Sequence, residues 1–157
     1  MNYIKKDNLT NGSVEVGMTT VIGDREYQQD YLYFSQDDKV TLAAVCDGMG
    51  GLDGGEKASY TAANILGSAF ENRSSDIDYV SFLKDTAYKM NEKVKMLVDS
   101  EGRPIHAGST VVTVIIKDDL LYMMSIGDSH IYILRDNKLV QLNKEHNYYE
   151  QLMSQLR

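Results

Sequence analysis

The stretch VTLAAVCDGMGGLDGG, residues 40–55, decides the fold of this chain. Its first part, residues 40–46, is apolar almost throughout, which is typical of a strand buried on both faces. Its second part, residues 47–55, contains five glycines and predicts a loop with unusual backbone angles or a close approach to another backbone. The sequence therefore places an aspartate, Asp47, at the end of a buried strand.

Two helices are predicted directly after this glycine-rich loop. Residues 56–70 are rich in alanine, and apolar residues recur every three or four positions through residues 76–100. Ser75 and Asp78 resemble a capping box at the start of the second helix.

The other predicted elements are mostly strands joined by short turns. The predicted strands cover residues 14–22, 31–35, 109–116, 120–126, 130–134 and 138–142, and a last helix covers residues 145–157. Strands paired by hairpins, with helices grouped apart, favour an α+β fold over a doubly wound parallel sheet. We expect a single domain over residues 1–157, because no linker, repeat or low-complexity segment interrupts the pattern.

Composition and charge exclude several classes of protein. The chain is 43% hydrophobic and 25% charged, which is close to the globular average and argues against a disordered or fibrous protein. Its net charge of -7 disfavours general nucleic-acid binding, because an acidic surface repels phosphates. No segment approaches the roughly 18 apolar residues of a membrane span, and the single cysteine, Cys46, excludes an internal disulfide. We expect a cytoplasmic protein that binds neither nucleic acid nor membranes.

Two segments carry residues suited to metal and phosphate chemistry. Asp47 and the carbonyl of Gly48 offer the oxygen ligands that Mg²⁺ and Mn²⁺ prefer. Arg25 and Asp30 flank a predicted turn, where a guanidinium suits a phosphoryl group and a carboxylate can orient metal-bound water. Each segment alone also has an ordinary explanation, namely a solvated glycine turn or a surface ion pair between Arg25 and Asp30.

Two further segments are informative only in combination with the first two, because of the order in which all four occur along the chain. Gly108-Ser109-Thr110 and Gly127-Asp128-Ser129 would each be an ordinary turn of small polar residues if they stood alone. In order with the others, they resemble the type 2C (PPM) family of metal-dependent serine/threonine protein phosphatases. The resemblance runs from about residue 14 to about residue 146 and is carried by residues 25–30, 47–51, 55–59, 108–110, 127–129 and 145–147.

The resemblance implies a fold, a metal centre and a reaction. The fold would be a β-sandwich of two antiparallel sheets packed face to face and flanked by helices. Two Mn²⁺ or Mg²⁺ ions at one end would activate a water that hydrolyses phosphoserine and phosphothreonine esters. By position in the family motifs, Asp47 would bridge both ions and Gly48 would ligate one through its carbonyl. Asp30 would assist the metal centre directly or through water, and Arg25 would bind the phosphate.

Other positions match the family pattern less closely. Gln29 occupies the position at which the family has a glutamate or glutamine that holds a metal-bound water. Asp128 would be structural or would act on the metal centre through another residue. Gln28 replaces a more usual asparagine, and Met49 stands where some members carry a histidine proposed as a general acid.

The family's further metal-binding aspartates belong to C-terminal motifs that do not occur in these 157 residues. We therefore expect an incomplete domain: a fragment, a natural truncation that self-associates through open sheet edges, or a non-catalytic module. Two functions remain open. One is a phosphatase whose active form is longer and whose partners are phosphoproteins and a serine/threonine kinase or its substrates. The other is a binding or regulatory module without catalysis.

Overall fold

The structure is a computed structural model that describes residues 14–51 and 54–144. Its strands are β1 (Asp30–Gln36), β2 (Val40–Met49), β3 (Gly108–Ser109), β4 (Val111–Lys117), β5 (Leu120–Ile126), β6 (Tyr132–Arg135) and β7 (Lys138–Gln141). The first five form one antiparallel sheet in the order β1-β2-β4-β5, with β3 paired to β2. The last two form a separate antiparallel hairpin. The predicted α+β class with two antiparallel sheets is confirmed.

Two helices, α1 (Gly54–Glu71) and α2 (Tyr79–Lys95), pack against the larger sheet and enclose the core. Successive strand residues point to opposite faces, so every second residue of β2 enters this core, as Leu42 and Cys46 do. Leu66 and Phe70 of α1 meet them and are equally buried. Neither of these helices has the length and apolarity needed to cross a membrane.

Strand β2 is longer than predicted. It continues through Asp47 to Met49 because Gly48 and Met49 pair with Ser109 and Gly108 of β3. The first residues of the predicted glycine loop are therefore the end of a paired strand, which gives Asp47 a defined direction.

The second helix is shorter than predicted. Its N-cap is Asp78, whose carboxylate accepts a hydrogen bond of 2.9 Å from the Ser81 amide. The predicted capping box with Ser75 is therefore wrong, and α2 starts at Tyr79 rather than residue 76. It ends at Lys95 rather than residue 100, and Val98 forms a β-bridge with Pro104 instead.

The strand predicted at residues 14–22 is also wrong. These residues alternate in hydrophobicity but form no ladder with any other part of the chain that the structure describes, and the Val14 carbonyl accepts a side-chain hydrogen bond from Gln36. The helix predicted at residues 145–157 lies outside the described residues.

Candidate metal centre

Two carboxylates meet at one end of the larger sheet because of strand register. Strand β1 pairs with β2 so that Asp30 lies opposite Asp47. Residues directly opposite in an antiparallel pair point to the same face, with Cβ atoms about 4.5–5.5 Å apart. Since Cys46 faces the core, the Asp47 side chain lies on the face away from the helices. The predicted turn residue Asp30 is thus the first residue of a strand and a neighbour of Asp47.

The strand end that carries Asp47 is held against α1 by a close backbone contact. A Cβ atom added at Gly48 would lie 2.0 Å from the Gly55 carbonyl oxygen, so only glycine permits this approach. The Gly48 amide donates to the Gln29 carbonyl at 3.1 Å, and the buried Ser59 hydroxyl donates to the same oxygen at 2.6 Å. Strand, helix and the turn before β1 are therefore joined at one point.

The turn before β1 is shaped by Gln28, to which the sequence pattern assigns no role beyond replacing a more usual asparagine. The Gln28 Oε1 atom accepts hydrogen bonds from the Gln29 and Asp30 amides at 3.0 and 3.2 Å. Its Nε2 atom donates to Thr20 at 2.6 Å. Gln28 thereby fixes the backbone from which the Asp30 side chain extends.

Negative charge accumulates at Asp47. Partial burial raises the pKa of its carboxyl, and the neighbouring Asp30 raises it further through like charge and a direct hydrogen bond. Asp128 adds to this rise, whereas the Arg25 guanidinium lowers the pKa. Two carboxyl groups in contact need either a shared proton or a cation between them. The predicted residues Arg25, Asp30 and Asp47 are thus brought together.

The chemistry of these donors fits part of a divalent-cation site. Two carboxylates beside the Gly48 carbonyl are the hard oxygen ligands that Mn²⁺ and Mg²⁺ prefer. Residues 14–51 and 54–144 contain no group of three or more acidic, histidine or cysteine side chains placed to hold a metal ion. Among the described residues, the potential ligands at this place are therefore two carboxylates and one carbonyl.

The site opens into a cavity of about 760 Å³. That volume lies in the range of small-ligand pockets, about 300–1,000 Å³. The wall contains both signs of charge, and the exposed Met49 stands at it. The residues that line it are Asp24, Arg25, Glu26, Tyr27, Gln29, Asp47, Gly48, Met49, Gly50, Thr110 and Asp128. A phosphorylated side chain could therefore meet a guanidinium and carboxylates in one space.

A second cavity, of about 810 Å³, lies at the opposite end of the sheet. Its most buried cation, Arg73, contacts Asp37 and donates to the Tyr79 hydroxyl and the Phe70 carbonyl. These bonds use each of the three guanidinium nitrogens, so Arg73 ties the end of α1 to the turn before β2 and to α2.

Comparison with known proteins points to one family. The sequence model of the protein phosphatase 2C family matches residues 19–155. A serine/threonine phosphatase of Listeria innocua, Stp, is 27% identical over 123 residues, which are 76% of this chain and 49% of that protein.

Two solved structures resemble the fold. One is the catalytic domain of the serine/threonine protein phosphatase PstP with two manganese ions, at 27% identity and a TM-score of 0.69, covering 85% of this chain and 56% of that one. The other is the S. agalactiae serine/threonine phosphatase, at 26% identity and a TM-score of 0.67, covering 83% and 55%. The chain thus spans about half the length of each of these three relatives. With a family match over residues 19–155 and the family's fold, this chain belongs to the protein phosphatase 2C family.

Proposed function

We propose that the protein hydrolyses phosphoserine and phosphothreonine in proteins, with a Mn²⁺ or Mg²⁺ centre built in part on Asp47. The observation that carries this proposal is the strand register that sets Asp30 opposite Asp47, whose side chain lines a cavity together with Arg25. Like charges held together in this way favour a divalent cation, and the guanidinium favours a phosphoryl group. The likeness to named serine/threonine phosphatases favours this enzyme over a non-catalytic binding module.

Each residue has a separate task in this proposal. When bound, divalent ions would activate water for attack on phosphorus and offset charge on the phosphoryl oxygens. Asp47 and the Gly48 carbonyl would hold the cation, and Asp30 would ligate it or orient its water. Arg25 binds the phosphoryl oxygens through its planar fork of N–H donors. Asp128 lies within electrostatic reach of Asp47 and acts on the centre through it.

The proposed partners follow from the reaction. The substrates are phosphoproteins, and a serine/threonine kinase or its targets would act in the same signalling step. We place the protein in the cytoplasm, which its single, buried cysteine supports, because a reducing compartment does not favour disulfides.

Self-association is also part of the proposal. Within the described sheet, β5 pairs only with β4 and so presents a free edge. Leu121 and Met123 on this strand are 46% and 42% exposed, and they border an apolar groove of about 550 Å³ against α2. An edge strand with exposed apolar side chains favours pairing with another chain.

The first experiment is hydrolysis of an aryl phosphate with and without Mn²⁺ by the wild type, by Asp47→Asn and by Asp85→Asn. Asp85 is an exposed aspartate of α2 and controls for the loss of one carboxylate. We expect Mn²⁺-dependent turnover that Asp47→Asn abolishes and Asp85→Asn leaves unchanged. Equal turnover by all three proteins would contradict the role of Asp47. A folded wild type without turnover would mean that the metal centre needs further ligands or that the chain binds phosphoproteins without hydrolysing them.

A further inference from the structure

Thr110 makes an unusual pair with Asp47. It lies in the one-residue gap between β3 and β4, and the register on either side places it opposite Asp47. The Thr110 amide donates to the Asp47 carbonyl at 2.8 Å, as in an ordinary antiparallel ladder. The Asp47 amide, however, donates to the Thr110 side-chain hydroxyl at 3.1 Å, where a regular ladder would use a main-chain carbonyl.

The Thr110 hydroxyl is itself held by a second hydroxyl. Its Oγ1 atom lies 2.7 Å from the Ser129 Oγ atom, and Thr110 is only 2% exposed. Because Oγ1 accepts from the Asp47 amide, it keeps a proton that it can donate to Ser129. The Asn143 Nδ2 atom donates hydrogen bonds to the Ser129 carbonyl at 2.9 Å and to the Ser125 hydroxyl at 2.6 Å. The hydroxyl pair is thus fixed from both sides.

We infer that Thr110, held by Ser129, is a positioning residue that sets the direction of the Asp47 carboxylate toward the metal ion. This inference rests on the proposed function. The side chains of Asp47 and Thr110 share one face of the sheet, and the threonine hydroxyl bonds the backbone amide of the metal-binding residue itself. Without the hydroxyl, the amide loses this acceptor and the end of β2 is free to change its angle. The two small-residue motifs, residues 108–110 and 127–129, thereby have one shared task.

Thr113, on the adjoining strand β4, provides a matched control. It is as buried as Thr110, at 1% exposure, and its hydroxyl donates to the Ala43 carbonyl at 2.9 Å. Thr113→Val therefore removes a buried, hydrogen-bonded threonine hydroxyl three residues further along, without removing the acceptor of the Asp47 amide. Any effect that comes only from lost stability appears in both valine variants.

The test measures Mn²⁺ binding by the whole 157-residue chain without substrate, from the electron paramagnetic resonance signal of free Mn²⁺. Outer partners of metal ligands typically change affinity by about 10- to 100-fold. We expect Thr110→Val to weaken Mn²⁺ binding by at least about 10-fold, Thr110→Ser to restore it, and Thr113→Val to leave it unchanged. Ser129→Ala should weaken Mn²⁺ binding by a smaller factor. If Thr110→Val does not fold, this variant tests the positioning role instead, and wild-type affinity in it would overturn that role.

The outcomes separate this inference from the proposed function. Wild-type affinity in Thr110→Val, or an equal loss in Thr113→Val, would overturn the positioning role. In either case, loss of Mn²⁺ binding in Asp47→Asn would leave the proposed metal site standing. If the wild type takes up no Mn²⁺, both the proposed metal site and the positioning role are wrong for this chain.

Discussion

At the scale of single residues, the surroundings of Asp47 in the folded chain disfavour the ionised form of its carboxyl. Its side chain is partly buried and lies opposite Asp30, and both features raise the pKa of its carboxyl, whereas the Arg25 guanidinium lowers that pKa. Such a residue destabilises a folded chain unless something compensates its charge, which is the usual cost of a preformed cation site. The charge that weakens the fold is therefore the same charge that would bind a metal ion.

This placement predicts that, without metal, the ionised Asp47 carboxylate lowers the stability of the folded chain, and that the loss depends on pH. A carboxyl whose pKa is raised in the folded state binds protons more strongly there, so its stabilising contribution is complete at low pH and is lost as the pH rises. In EDTA, Asp47→Asn should therefore match the wild type in melting temperature at a pH below the usual pKa of an aspartate, about 3.9, and exceed it at neutral pH.

Thermal unfolding by circular dichroism at both pH values measures this difference. Added Mn²⁺ should raise the melting temperature of the wild type at neutral pH and leave Asp47→Asn unchanged, because a ligand stabilises only the state that binds it. A metal-free wild type that is more stable than Asp47→Asn at neutral pH would show that Asp47 is not under electrostatic stress.

At the scale of elements, the decisive contact is the one between the end of β2 and the start of α1. Gly48 and Gly55 bring the two backbones together, and the Ser59 hydroxyl ties the turn before β1 to the same place. Helix packing usually rests on side chains, but here the backbone itself is the contact surface. A side chain at this point would separate the strand from the helix and move Asp47.

Gly48→Ala tests this contact. The added methyl group would lie 2.0 Å from the Gly55 carbonyl oxygen and 2.8 Å from that of Gln29, so backbone has to move. We expect a loss of about 1–3 kcal/mol in the free energy of unfolding, measured by urea denaturation, together with weaker Mn²⁺ binding. Gly51→Ala is the control, because a methyl group there meets nothing within 4 Å. Equal stability of the two variants would refute the close contact.

The strands also show why a local sequence pattern predicts only part of the secondary structure. Strands β1 and β5 were predicted nearly to the residue, because their polarity changes sharply at turns such as the one at Asp118. Residues 14–22 carry a similar alternation and are not a strand in the structure. Alternation records which side chains prefer burial, whereas a strand also requires a partner for its backbone hydrogen bonds.

At the scale of the whole molecule, both described helices cover one face of the larger sheet, and the free edge of β5 stands beside α2. The proposed metal ligands lie at one end of the sheet, away from the ion pair between Arg73 and Asp37 at the other end. Side chains such as Leu121 and Met123 remain exposed on β5.

This arrangement predicts that charge on β5 reduces self-association. Met123→Lys places a cation on the free edge strand, where lysine is a common device against edge pairing. Sedimentation velocity should show concentration-dependent dimers for the wild type and mainly monomers for Met123→Lys. Val80→Lys, on the exposed face of α2 at the same groove, tests whether the helix takes part. A wild type that stays monomeric at all concentrations would contradict the proposal.

The sequence by itself determined the fold class, most of the strands and the residue types of the site. These properties are local: a strand buried on both faces, a glycine-rich loop and small polar motifs show in neighbouring residues. The motif residues Arg25, Asp30, Asp47 and Gly48 could therefore be proposed as site residues from the order of motifs along the chain.

Only the tertiary structure decided how these residues meet. The register of β1 on β2 places Asp30 opposite Asp47, and a one-residue slip would turn one of the two side chains to the other face. Thr110 lies 63 positions after Asp47 in the chain, and its hydroxyl replaces a main-chain carbonyl as the acceptor for the Asp47 amide. Contacts over such distances depend on how whole strands pair and pack, and no local pattern of residues records that pairing.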